Sequence, residues 1–370
     1  MVDSTVDPGL APSRPTTAGR REPVRVGLLG GGAVAQVAHL PAYRRLRTAR
    51  LVAICEHEAP KRRALRERAG VDHAVGTIEE LLAIDEVEAV DVCLPSDLHR
   101  DTVVRCLEAG KHVLCEKPLG LTAEEVADVI AARERSGKVV LVGMNNRYRD
   151  DSILLKEAVE QGSLGDVYYA RARWHKRREA AHAETWYYQA GRAGGGVVMD
   201  LSAPMLDLAL WLCDYPAPER VSASFYHHLG VEVEDTAVVS VRCAGGLAIS
   251  VETSWNQIWD RKQAVLGERD HFFTLVGTEG SGLLDPIRVY QRMHGNLVNV
   301  TPTSPRRGRN LYMESYEREI AFFAEVVMGR EEAPPLSEQL ALARLLDATR
   351  RSAEQGREVE VAPAGGGPPT

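Results

Sequence analysis

The sequence is short of several features that would settle its class outright. It has six cysteines in 370 residues, and no two stand in C-x-x-C spacing. That speaks against a disulfide framework or a cysteine zinc site. Cys55, Cys93, Cys106, Cys115, Cys213 and Cys243 fall mostly in apolar stretches and read as buried free thiols of a reducing compartment. There is no surplus of positive charge. The 45 Lys and Arg against 52 Asp and Glu leave a net charge of −7, so electrostatics gives no reason to expect nucleic acid or an anionic membrane as partner. The basic runs KRRALRER (61–68) and PRRGR (305–309) carry no interleaved aromatics and read as solvated surface. No stretch reads as long and apolar enough to span a membrane. Arg20-Arg21 invites a twin-arginine export reading, but Arg25 interrupts the apolar run that follows, and that run is needed as a strand. A cytoplasmic location is the expectation. There are no internal repeats, and no H-x-x-x-H or H-x-x-E pattern, so no metal site is expected.

What is present is the composition of a globular protein, 44% hydrophobic and 26% charged, with length enough for two domains. Residues 1–22, rich in Pro, Ser, Thr and Gly, read as a disordered tail, and 362–370 as a flexible one. Residues 23–145 read as a dinucleotide-binding domain. A short buried strand (24–29) runs into a glycine turn and a helix, with Gly30, Gly32 and Ala35 in G-x-G-x-x-A spacing. The first glycine permits the tight turn, the second lets backbone approach a pyrophosphate, and the small third residue permits close helix–strand packing. Free amides at Ala33, Val34 and Ala35 face the anion. A second strand (50–58) ends in Glu56, placed to accept hydrogen bonds from the adenosine ribose of NAD and to repel the 2′-phosphate of NADP. His57 and Lys61–Arg63 stand close enough to keep NADP open. Helices at 77–84, 97–110 and 122–137, the last with a T-x-x-E capping box, alternate with strands at 87–95, 111–118 and 138–146. This alternation specifies an α/β, doubly wound parallel sheet whose ligand lies at the carboxyl ends of the strands. Pro95, Ser96, His99, Glu116, Lys117 and Asn145 fall at that edge with the glycines and Glu56 as expected cofactor contacts, with packing at the helix start the equal alternative for His99.

Residues 146–361 read as an α+β domain with a large, mostly antiparallel open sheet. Alternating strands appear at 165–175, 219–228, 234–255 and 271–285, with Gly245-Gly246 and GTEGS as hairpin turns. Helical patterns at 205–213 and 316–327 are expected to cover that sheet. A final helix (336–356) is placed to pack back on the first domain.

Four motifs occur together: the G-x-G-x-x-A fingerprint, Pro95 and His99 after the fourth strand, Glu116-Lys117-Pro118 after the fifth, and GGGVVMDLSAPMLD (194–207). In this combination the chain resembles the glucose–fructose oxidoreductase, inositol dehydrogenase and rhizopine-catabolism (Gfo/Idh/MocA) family over roughly residues 23 to 350. The resemblance implies a Rossmann domain with NAD(P), a sugar, cyclitol or sugar-like substrate, and a homo-oligomer, dimer or tetramer, formed through the C-terminal sheet. It makes Lys117 the key catalytic residue, an ammonium that hydrogen-bonds the reacting hydroxyl and stabilises its alkoxide character, with Glu116 orienting it or lining the pocket. It also carries Asp200 and Asp207 over from G-G-G-x-x-x-D-x-G-x-H-x-x-D. The chain departs from that pattern at two places. Ser202 stands at the glycine, and Pro204 stands where a His or Tyr carries the proton. Proline has no ionisable group and no N–H, and it removes the helical hydrogen bond to the Asp200 carbonyl, so the helix is either kinked or restarted. Tyr187 is the catalytic candidate to replace the lost group, with His175, His182 and Tyr188 beside it in WHKRREAAHAETWYYQAGRAGGG. Trp186, Tyr187, His175, Arg147, Asp200 and Asp207 are the expected substrate-facing residues, and a surface salt bridge is the alternative for Arg147. Three activities stay open at this stage: a net dehydrogenase or reductase, a transient redox cycle on tightly held NAD with a net non-redox outcome, and a catalytically silent sensor.

Overall fold

A computed structural model describes residues 22–178, 184–256, 273–302 and 310–363. Nearly all of the two expected tails lies outside them. Six parallel strands form the first sheet: β1 (Val24–Leu29), β2 (Ala49–Cys55), β3 (His73–Val75), β4 (Ala89–Val92), β5 (His112–Glu116) and β6 (Val140–Gly143), in the order β3-β2-β1-β4-β5-β6. Their interiors are mostly apolar because both faces are covered; every residue of β4, Asp91 included, and of β6 is buried. Strand order reverses between β1 and β4, and the loops beyond their carboxyl ends form the cleft. The edge strand β3 has only three residues, too few for a periodicity to reveal it. At the helix Ala123–Ser136 only half of the expected capping box forms. Thr122 accepts from the Glu125 amide, but the Glu125 carboxylate turns to the Leu121 amide. The reciprocal box occurs at Thr77 and Glu80.

The second sheet has nine strands: β7 (Val167–His175), β8 (Pro218–Tyr226), β9 (Thr236–Cys243), β10 (Ala248–Ser254), β11 (Phe273–Gly277), β12 (Gly280–Leu284), β13 (Arg288–Met293), β14 (Asn296–Asn299) and β15 (Val359–Glu360). Their order is β14-β13-β12-β11-β7-β10-β9-β8-β15. Only the β7–β10 pairing is parallel. The β9–β10 hairpin turns at Gly245 and Gly246, both at positive φ (77° and 87°), as the sequence leads one to expect. On β9 and β10 buried residues alternate with accessible ones, so one face packs inward and the other is open.

The helix Ala203–Leu212 is buried on nearly all sides beneath this sheet. Together with the turns leading into it, the stretch Ala190–Leu212 is long and apolar enough to cross a membrane, contrary to the sequence reading; most of it is buried inside the protein, the environment of a core helix. The helix Leu311–Val327 corrects a second expectation. It covers the first sheet, where Ile320, Phe323 and Ala324 join Val24, Val26, Leu114 and Leu141 in one apolar cluster. The last helix, Leu336–Gln355, lies against β8 and also on the Rossmann side, where Asp347 accepts from the Ala123 amide (3.0 Å) and Arg350 donates to the Leu121 carbonyl (3.3 Å). All six cysteines are free thiols, five of them buried.

Candidate active site

The floor of the cleft is the glycine turn after β1. Gly30 has φ +95°, and a Cβ there would lie 2.5 Å from the Cys93 carbonyl oxygen. A Cβ on Gly31 would strike Leu65 and the Glu56 carboxylate. Above Gly32 only the Cys93 oxygen comes within 4 Å of such an atom, at 3.8 Å. The first two glycines therefore serve packing, and the third leaves open space at a helix start, which fits a pyrophosphate. Ala35 is fully buried, as the close packing of helix on strand demands. Glu56 sits at the carboxyl end of β2. It accepts from the Gly31 amide (3.1 Å), the Glu58 amide (3.1 Å) and Lys61 Nζ (2.9 Å). Burial disfavours its charge, yet the hydrogen bonds from Lys61, Glu58 and Gly31 outweigh that and hold the carboxyl below its ordinary value. His57 is exposed at its shoulder.

After β4, Pro95 precedes a short turn, Ser96–Leu98. His99 is buried with Nδ1 2.6 Å from the Pro118 carbonyl and Nε2 2.9 Å from the Leu94 carbonyl. Both ring nitrogens thus staple the β4 loop to the β5 loop. This places His99 in the wall of the cleft, the packing alternative for it at the helix start. Asn145 donates to Ser315 of the covering helix (2.9 Å). Glu116 likewise turns inward. One oxygen accepts from the Lys117 amide (3.1 Å), and the other meets His39 Nε2 (3.1 Å), whose Nδ1 is 2.8 Å from Asp91. Burial disfavours an imidazolium at His39, but the charge of Asp91 and its hydrogen bond raise the pKa well above the ordinary value. The Glu116 carboxylate is thus held in a buried network with His39 and Asp91 and bonds the backbone, not the ammonium, of Lys117. Sequence reading missed this network, because His39, Asp91 and Glu116 lie on three separate elements.

Lys117 reaches across to the GGG segment. Its ammonium donates to the carbonyls of Asp200 (2.9 Å) and Met199 (3.4 Å) and lies 3.7 Å from the Asp200 carboxylate. That carboxylate accepts from Arg178 (2.9 Å) and from the Trp255 indole N–H (2.9 Å). The Arg178 guanidinium in turn lies over the rings of Tyr187 (4.7 Å) and Trp255 (5.1 Å). Burial works against the Asp200 charge, but Lys117, Arg178, Lys176 and the Trp255 hydrogen bond prevail and lower its pKa to about 2. Asp200 is therefore expected to stay ionised at every pH above about 4. A ¹³C-detected titration of its carboxyl checks this, and a midpoint above pH 4 would contradict it. The stabilisation that the depressed pKa brings is fully present above the unfolded value near 3.8 and is lost as pH falls towards 2. Lys176 shifts downward, chiefly by burial; Asp200 opposes that shift, and Arg178 and Lys117 add to it. Arg178, Lys176 and Trp255 were not singled out from the sequence. The only signal was that KRR and SW stand at the ends of neighbouring strands.

The helix behind this cluster is neither simply kinked nor restarted. Val198–Ser202 forms a π-helical turn, the Ala203 amide bonds the Val198 carbonyl five residues back, and Pro204 sits in the first turn of the α-helix that follows. Ser202, in the glycine position of the family pattern, bonds Thr253 of β10 (2.6 Å) and ties the turn to the sheet. The amides of Gly196 and Val198 go to the Glu234 carboxylate (2.7 and 3.0 Å).

Two expected substrate residues lie elsewhere. Arg147 and Asp207 are buried and pair with each other through two hydrogen bonds (2.7 and 2.5 Å), with Glu338, Gln339 and Tyr215 completing the set. Neither faces a substrate, and Arg147 makes no surface salt bridge. Strand alternation sends His175 to the face of β7 shared with Arg173 and its partner Glu252, opposite Trp174, so it is not gathered with Lys117. The Tyr187 ring joins the site beneath Arg178, and Trp186 packs edge-on against it (6.0 Å); Tyr188 is buried. His182 lies outside the described residues.

Comparison with known proteins identifies both domains. Residues 24–144 match the family model described as oxidoreductase family, NAD-binding Rossmann fold, and residues 153–282 match the GFO/IDH/MocA C-terminal domain. The 1,5-anhydro-D-fructose reductase of Ensifer adhaerens is 30% identical over 260 residues, 70% of this chain and 74% of the relative. The chain belongs to the Gfo/Idh/MocA oxidoreductase family. It is also similar to the D-glucoside 3-dehydrogenase of Escherichia coli (27% identical, spanning 92% of this chain and 98% of the relative) and to the myo-inositol 2-dehydrogenase of Thermotoga maritima (28%, 91% and 98%). In fold it matches a levoglucosan dehydrogenase solved with NADH and levoglucosan, with a TM-score of 0.80 at 24% identity, over 92% of this chain and all of the other. As a member of this family the chain is an enzyme, an NAD-binding oxidoreductase.

Proposed function

We propose that this enzyme transfers hydride between NAD and a carbinol or carbonyl carbon of a sugar, cyclitol or sugar-like metabolite, with Lys117 gripping the reacting oxygen. The observation that carries this reading is the Lys117 ammonium at the mouth of the cleft. It has three N–H bonds, and the Asp200 and Met199 carbonyls engage two of them. The third is left for a substrate oxygen, whose developing negative charge it stabilises. Gly30, Gly32 and the helix start at Ala33–Ala35 would hold the pyrophosphate. Glu56 and His57 would hold the adenosine ribose, with Pro95 and Ser96 lining the path to Lys117. When bound, NAD supplies the hydride acceptor or donor.

Asp200, with its pKa lowered to about 2, is too weak a base to take the proton. Its role is to hold Lys117 and Arg178 as a fixed anion. Tyr187 supports Arg178 from below, and Lys176 is the titratable amine electrostatically coupled to all three charges. The relatives named for a glucoside, an anhydrofructose and an inositol support a polyhydroxylated ring as substrate. The open face of the nine-stranded sheet, where Tyr226 and Val238 are exposed, is the surface we assign to a homo-oligomer.

Purified protein with NAD⁺ and a panel of glucosides, anhydrosugars and inositols is expected to accumulate free NADH, read at 340 nm. Product formation without free NADH would indicate a transient redox cycle, and failure to bind either NAD⁺ or NADH would overturn the proposal.

A further inference from the structure

We propose that Pro204 is a positioning residue for Lys117, acting through the backbone hydrogen bond it cannot make. The inference rests on the catalytic reading of Lys117 given above. In an uninterrupted α-helix the Met199 carbonyl would take the amide of residue 203, and the Asp200 carbonyl that of residue 204. Here the π-helical turn draws the Ala203 amide to the Val198 carbonyl instead. Residue 204 is proline and has no N–H to offer at either the four-residue or the five-residue spacing. Met199 thus loses its amide partner at both spacings and Asp200 its α-helical one, and these two carbonyls are the ones that accept hydrogen bonds from Lys117 Nζ, at 3.4 and 2.9 Å. A buried carbonyl without a donor is costly, so the helix leaves two acceptors whose need is met by the catalytic ammonium.

The same device occurs a second time in the chain, with no catalytic role. The π-helical turn Ala35–His39 draws the Leu40 amide to the Ala35 carbonyl, and Pro41 follows in the first turn of the next helix. The Gln36 carbonyl thereby loses its partners at both spacings, and Arg68 donates to it at 3.1 Å. In both places a π-helical turn followed by proline turns helix backbone into an acceptor for a cation on another element. At position 204 the chain has exchanged a proton-carrying side chain for a fixed backbone anchor. Ser202, hydrogen-bonded to Thr253, keeps that anchor in place against β10.

Competitive acetylation of Lys117, read by mass spectrometry at fixed pH, tests this without a substrate. Pro204→Ala restores an N–H that competes for the Met199 and Asp200 carbonyls. An ammonium that loses a hydrogen-bond acceptor gives up its proton more readily, so Lys117 is expected to label at least threefold faster than in the wild type, with the NADH Kd, measured by fluorescence, within twofold. A second variant carries lactic acid at position 204, giving an ester without the N–H and without the proline ring. Lys117 is expected to label there at the wild-type rate. Unchanged labelling in Pro204→Ala, or an ester variant that behaves like Pro204→Ala, overturns the proposal. If Pro204→Ala loses NADH binding, the ester variant decides alone, with wild-type labelling supporting the anchor and faster labelling refuting it. If the wild type fails to bind NADH, the proposed function falls while the labelling still reports on the anchor.

Discussion

Lys117→Ala is expected to lower kcat/KM for the sugar or cyclitol by roughly 10²–10⁴-fold, the range typical of losing a group that handles or stabilises the reacting proton, while the Kd for NADH moves less than about twofold. The separation follows from where the side chain points. Its ammonium is directed at the carbonyls of Met199 and Asp200 and lies 3.7 Å from the Asp200 carboxylate, away from the glycine turn and Glu56. Removing it also leaves Asp200 with Arg178 and Trp255 as its direct hydrogen-bond donors, so the carboxylate remains compensated and the fold should survive. Steady-state rates together with a fluorescence titration decide the matter. Turnover within tenfold of the wild type would remove Lys117 from the mechanism.

The second large effect concerns stability. Arg147→Met leaves the Asp207 carboxylate buried without its bidentate partner, and breaking such a pair typically costs about 3–5 kcal/mol. A urea melt is expected to show a loss of that size with an unchanged slope. The double variant Arg147→Met, Asp207→Leu removes the buried pair, leaves Glu338 at its partly exposed end, and is expected to regain part of the loss, because apolar replacement of a buried pair is often close to neutral. A substrate role for Arg147 would give the opposite signature, a raised KM with little change in the melt.

The contrast between these two residues shows what the sequence made legible. Lys117 could be found because its surroundings are local: a buried strand, a glutamate, a lysine and a proline in a row, at an edge that strand–helix alternation had already designated as the ligand side. Arg147 follows the neighbouring strand at the same edge, and position alone made it look like a substrate contact. Its true partners, Asp207, Tyr215 and Glu338, lie between 60 and 191 residues further on, and nothing local announces them. Arg178 was passed over for the same reason. Its importance comes from Asp200, Trp255 and Tyr187, which meet only when β7 and β10 pair side by side. The helix Leu311–Val327 shows a related limit. Its amphipathic pattern says that one face is buried, but not which of two sheets buries it. At Pro204 the sequence stated the loss of a hydrogen bond and a side chain; only the structure shows what occupies the vacated acceptor.

The chain divides readily into two domains when it is read, but its interior does not divide. One apolar cluster runs from Leu29, Val52, Val90 and Val113 of the first sheet to Val239, Ile249 and Val251 of the second, and includes Leu342, Leu345 and Leu346 of the last helix. That helix also caps the start of Ala123–Ser136 through Asp347. For recombination between family members the consequence is direct. A crossover near residue 145, the obvious place to exchange one substrate half for another, would join a Rossmann half to a foreign last helix along a seam that both halves share.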